Sequence, residues 1–127
     1  MKSNYELVCD LVDVSIKGSK IVGGEISSGK SYFEGKKRLC KILKSKKGYS
    51  VEINVRFDKV IEKEFGLRFI MLEERKVKKL GSMKYFYSSN KLEDVKKILK
   101  LMVIRFKEEL IEEKGKKELE EKDENVG

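Results

Sequence analysis

Between Lys36 and Val55 the pattern of side chains leaves few folds open. Tyr49, Val51, Ile53 and Val55 alternate with Ser50, Glu52 and Asn54, the two-residue period of a strand with one wet face. Just before them, Cys40 and Ile42 can share a buried side while Arg38, Lys41 and Lys44 stay in water. Ser45-Lys46-Lys47-Gly48 connects the two runs, with Gly48 free to take positive φ. A β-hairpin with one core-forming face and a cationic tip follows.

The elements around it are consistent with a single α+β domain. Asn4 is positioned to cap a first helix reaching about Asp13, with Tyr5, Val8, Leu11 and Val12 on one face. Gly18, Gly23 and Gly24 punctuate a loop or short strand at Lys20-Ile21-Val22. Tyr32-Phe33 and the hairpin give three consecutive antiparallel strands. Asp58 to Phe65 reads as a short helix closed by Gly66, burying Val60, Ile61 and Phe65. Arg68 to Leu72 favours strand, Arg75 to Ser82 a basic loop, and Met83 to Tyr87 an aromatic strand. Asn90, with Glu93 three residues on, starts the clearest helix of the chain. Its apolar stripe is Leu92, Val95, Ile98, Leu99, Met102, Val103, Phe106 and Leu110. Lys96, Lys97, Lys100, Lys107, Glu108 and Glu109 fall largely outside that stripe. The stripe is expected to hold the sheet together; a homodimer seam is the competing use, since Leu101 and Ile104 widen it. The expected domain is 1–113, and 114–127 is a charged tail expected to be frayed helix or disordered.

Charge is the most informative count. The chain of 127 residues carries net +8. Residues 30–48 hold eight cations (Lys30, Lys36, Lys37, Arg38, Lys41, Lys44, Lys46, Lys47) against Glu34, and residues 75–84 hold five (Arg75, Lys76, Lys78, Lys79, Lys84) against no acid. These two segments supply more than the whole net charge. They are the candidate nucleic-acid-binding residues: Lys36, Lys37, Arg38, Lys41, Lys44, Lys46, Lys47, Arg75, Lys76, Lys78, Lys79 and Lys84. Tyr49, Tyr85 and Tyr87 are available for stacking if exposed.

Several chemistries are disfavoured. There is no histidine, which removes the commonest general base and most mixed zinc sites. Cys9 and Cys40 lack Cys-x-x-Cys spacing and read as reduced thiols; no cofactor or metal is expected. No apolar run approaches a membrane span and no signal-peptide pattern follows Met1, so a cytoplasmic protein without a membrane partner is expected.

One motif competes. Gly24-Glu25-Ile26-Ser27-Ser28-Gly29-Lys30-Ser31 fits the phosphate-loop pattern G-x-x-x-x-G-K-S, in which Gly24, Gly29, Lys30 and Ser31 would bind a nucleotide. Phe69-Ile70-Met71-Leu72-Glu73-Glu74 resembles the acidic strand that accompanies it. Such a loop must open a helix, whereas Ser31-Tyr32-Phe33-Glu34-Gly35 reads as strand, so the match is expected to be a decoy.

The stretch Tyr32-Phe33-Glu34-Gly35-Lys36-Lys37-Arg38-Leu39-Cys40-Lys41-Ile42, the strand to Val55, and Leu80-Gly81-Ser82-Met83-Lys84-Tyr85-Phe86 leading into Leu92-Glu93-Asp94-Val95 resemble the small bacterial domains labelled predicted transport proteins. More distantly they resemble the YjbR-like (MmcQ) domains. The resemblance covers about residues 30–106. It implies one α+β sheet domain and, loosely, DNA binding; no catalytic residue carries over. In place of that family's ring-bearing stretch before the last strand, this chain has Leu80-Gly81-Ser82-Met83.

The expected function is therefore a non-enzymatic module docking a polyanion, foremost nucleic acid. The alternative is a small inhibitor or adaptor, of phage or plasmid type, that binds an acidic protein. A nucleotide-binding protein comes third.

Overall fold

The computed structural model describes residues 2–46, 48–69 and 83–126, with side chains through residue 115. The order is α1 (Asn4–Ser15), β1 (Val22–Ile26), β2 (Gly29–Glu34), β3 (Lys37–Ser45), β4 (Gly48–Ile53), α2 (Lys59–Phe65), β5 (Arg68–Phe69), β6 (Tyr85–Tyr87) and α3 (Leu92–Val126). The six strands form one antiparallel sheet in the order β1-β2-β3-β4-β6-β5. This is the α+β arrangement expected, a basic hairpin within a sheet packed against N-terminal and long C-terminal helices.

Residues directly opposite on neighbouring strands share a face, so the register sorts the sheet. Tyr32, Cys40, Ile53 and Tyr85 form one row, and Ile42, Val51 and Tyr87 the next. All are buried, and all three helices touch this face. From α1, Cys9 O and the Asp13 carboxylate accept from the Tyr32 hydroxyl. From α2, Glu62 accepts from Tyr85 at 2.7 Å and Phe65 meets Tyr87 edge-on. From α3, Val95, Ile98, Leu99, Met102, Val103 and Phe106 complete the core. The stripe of α3 is thus core, while Ile104 and Ile111 stay exposed.

Details differ from the sequence reading. Ser3, not Asn4, caps α1 by accepting from the Glu6 N–H, and the helix runs two residues further, to Ser15. The carbonyl of Lys91, not Asn90, accepts the first bonds of α3. Asp58 and Gly66 close α2 as expected, Gly66 with φ of 60°. Val60, however, is 74% exposed, because Ile61 and Phe65, four residues apart, already define the inward line of a two-turn helix. The charged segment after Lys114 continues α3 to Val126. Among the described residues no helix is long and apolar enough to cross a membrane.

Candidate functional site

The phosphate-loop match folds as a β-hairpin. Gly24, Glu25 and Ile26 end β1, Ser27-Ser28 turn, and Gly29, Lys30 and Ser31 begin β2, so that Gly24 lies directly opposite Ser31. No helix starts there, and the backbone groups are committed to ladder pairing. Ser31, which such a loop would assign to magnesium, is 3% exposed and its hydroxyl has no hydrogen-bond partner. The Lys30 ammonium lies 3.5 Å from Asp13 and over the Tyr32 ring. The acidic strand proposed to accompany the loop, beyond Phe69, lies outside the described residues, as do Lys47, Arg75, Lys76, Lys78 and Lys79.

The remaining cations do not form one patch. Lys36 and Lys46 sit in the turns at opposite ends of β3, about 30 Å apart for a nine-residue strand. The pleat and a bulge divide the others. Tyr32 pairs with Cys40 but Phe33 pairs with Arg38, so Leu39 is the extra residue and is buried with Cys40. The bulge shifts the alternation, sending Lys37 to the helix face and Arg38 to the opposite one.

Lys37 then has carboxylates on α3 at 3.1 Å (Glu109) and 2.9 Å (Glu113), and it lies over the Phe106 ring. Its side chain is 18% exposed and that of Glu109 12%, so Glu109 belongs to the packed face rather than outside the stripe. Glu109 also accepts from the Arg56 N–H and lies 3.7 Å from Arg105. Lys44 is on the helix side too, over the ring of Tyr5. Lys84 donates to the carbonyl and side-chain oxygen of Asn54, and burial lowers its pKa, an effect that Glu109 opposes.

The other face of the sheet carries a different set. One row is Gly24, Ser31, Lys41, Glu52, Phe86 and Arg68; a second is Val22, Phe33 and Arg38; a third is Ile26, Gly29, Leu43 and Ser50. Arg38, Lys41 and Arg68 make no ion pair with any described residue, and Arg38 Nε is buried without a hydrogen-bond partner. Glu52 is the one acid on this face among the described residues.

The tyrosines considered for stacking are core residues. Tyr49, Tyr85 and Tyr87 are at most 5% exposed, and burial raises the pKa of each, that of Tyr85 to about 12. The rings on the open face are Phe33 and Phe86, the latter 37% exposed. Sequence reasoning missed these two and Arg68. The signal was present for Phe86: between two inward tyrosines, a two-residue period turns it outward.

Cys9 and Cys40 are free and buried, and burial pushes both thiols up. Among the described residues no group of three or more acidic, cysteine or histidine side chains is placed to hold a metal ion. The chain matches no family model, no curated protein and no solved structure.

Proposed function

We propose that the protein is a non-enzymatic module that docks nucleic acid through the phosphate backbone, using the sheet face opposite the helices. One observation carries this reading. The cations on the helix side, Lys37 and Lys44, are engaged by carboxylates or aromatic rings, while Arg38, Lys41 and Arg68 on the open face have no described ionic partner. Unpaired cations release counterions from a phosphate chain on binding, and that gain needs no base-specific spacing. Lys36 and Lys46 extend the positive surface at its two rims.

A second reading is an adaptor or inhibitor that grips an acidic protein. It draws on the same cations, Arg38, Lys41 and Arg68, which have no described ionic partner and can face a partner's carboxylates as well as phosphates. Electrostatic complementarity speeds such association without defining the partner.

The test is a salt titration of binding to a short oligonucleotide. With about four or five cations engaged, log K against log salt should have a slope of about −4. The double reversal Arg38→Glu/Lys41→Glu should abolish binding, and Lys96→Glu/Lys100→Glu, on the exposed side of α3, should leave it nearly unchanged. Equal losses from the two pairs would reduce the effect to net charge. Capture of a protein from nuclease-treated lysate, with no oligonucleotide binding at low salt, would favour the adaptor.

A further inference from the structure

We infer that the ligand of the open face is single-stranded nucleic acid, held by stacking on Phe33 and Phe86 with Lys41, Arg38 and Arg68 on its phosphates; this rests on the nucleic-acid reading above. The register places Phe86 in the row of Ser31 and Lys41, three strands from β2, and Phe33 two residues further along β2. With strands about 4.8 Å apart and about 3.3 Å per residue, the two rings are about 16 Å apart. Lys41 stands on β3, between them. Arg38 is directly opposite Phe33 and Arg68 directly opposite Phe86. Each ring therefore has an arginine as cross-strand neighbour, so each base platform comes with a phosphate contact.

The described part of this face is built of strands. A double helix keeps its bases stacked on one another, so rings that bind by stacking favour a single strand. A single strand can lay an unstacked base on Phe86, which is 37% exposed, and another against the accessible part of the half-buried Phe33 ring, a contact that every base can make. Sixteen ångströms is too far for successive stacked bases, so the strand crosses Lys41 between its two platforms. Glu52, opposite Lys41 and beside Phe86, repels phosphate at that point and turns the backbone toward the cations on either side.

The experiment measures anisotropy of a labelled 15-nucleotide oligothymidylate and of a 15-base-pair mixed-sequence duplex on the full chain. The single strand should bind at least about tenfold more tightly. Phe33→Leu and Phe86→Leu, which keep an apolar side chain on the surface, should each weaken single-strand binding by about tenfold and leave duplex binding unchanged. Circular dichroism of the leucine variants checks that they fold, and Phe86→Tyr, which keeps a ring, should restore binding. Equal affinity for the two forms, or single-strand affinity unaffected by both leucines, overturns the stacking inference and leaves backbone docking standing. No binding to either form at low salt overturns both.

Discussion

Gly24 and Gly29 are equivalent in the sequence, both spaced for a phosphate loop, and the structure separates them. A Cβ at Gly29 would lie 2.0 Å from the carbonyl oxygen of Ile42, an approach of backbone to backbone that no side chain tolerates; at Gly24 the nearest atom is an ordinary contact. Gly29 is thus required by the pairing of β2 with β3, and phosphate need not enter the account. Gly29→Ala should cost about 2–3 kcal/mol or prevent folding, and Gly24→Ala should stay within about 1 kcal/mol. Urea midpoints of the two variants decide it; similar losses at both positions would contradict the close approach. At this scale, residue type was legible and direction was not. Arg38 and Lys41 were recognised as candidates, but Lys37 and Lys44 look the same in sequence. The extra residue at Leu39, which sends Lys37 and Arg38 to opposite faces, leaves no mark in an already apolar Leu-Cys pair.

Elements were legible in proportion to their length and period. The stripe of α3 repeats over five turns and reads correctly from Val95 to Phe106; its end, Leu92, is half exposed because the helix begins there. α2 offers only two turns of pattern, too few to tell the exposed Val60 from the inward Ile61 and Phe65. Ile98 and Met102 are fully buried in the core, so Ile98→Ala or Met102→Ala should each destabilise by about 2–5 kcal/mol. Truncation after Lys114 should change little, because the last described ion pair between α3 and the sheet, Lys37 with Glu113, lies before it. Denaturant unfolding of the three variants checks this. If both alanine variants turned a dimer into an equally stable monomer, the stripe would be an interface instead.

For the whole molecule, the absence of histidine and the placement of tyrosine together set the pH response. Side chains other than histidine rarely titrate between pH 5 and 8, so stability should be flat across that range. Above it, Cys9, Cys40 and all five tyrosines have folded-state pKa values raised by burial. Tyr32 is raised further by its hydrogen bond to Asp13, and Tyr5 reaches about 12. In the unfolded chain these groups lose their protons near the ordinary values of about 9 for thiols and about 10 for phenols. Between those values and the raised ones, the native state holds more protons than the unfolded state. Stability is therefore fully present below about pH 9 and falls as pH climbs toward the folded values. Lys84 acts in the opposite sense: its folded pKa is lowered, so its own contribution improves as pH rises through that value toward 10.5. One amine against seven acids leaves the sum destabilising. The urea midpoint should hold constant from about pH 6 to 8 and decline steadily from about pH 9 to 11. Tyr32→Phe, which removes one of the raised groups, should start from a lower midpoint and decline less steeply. A midpoint that stays constant to pH 11 would mean that these phenols and thiols are not buried as the sheet and helices here place them.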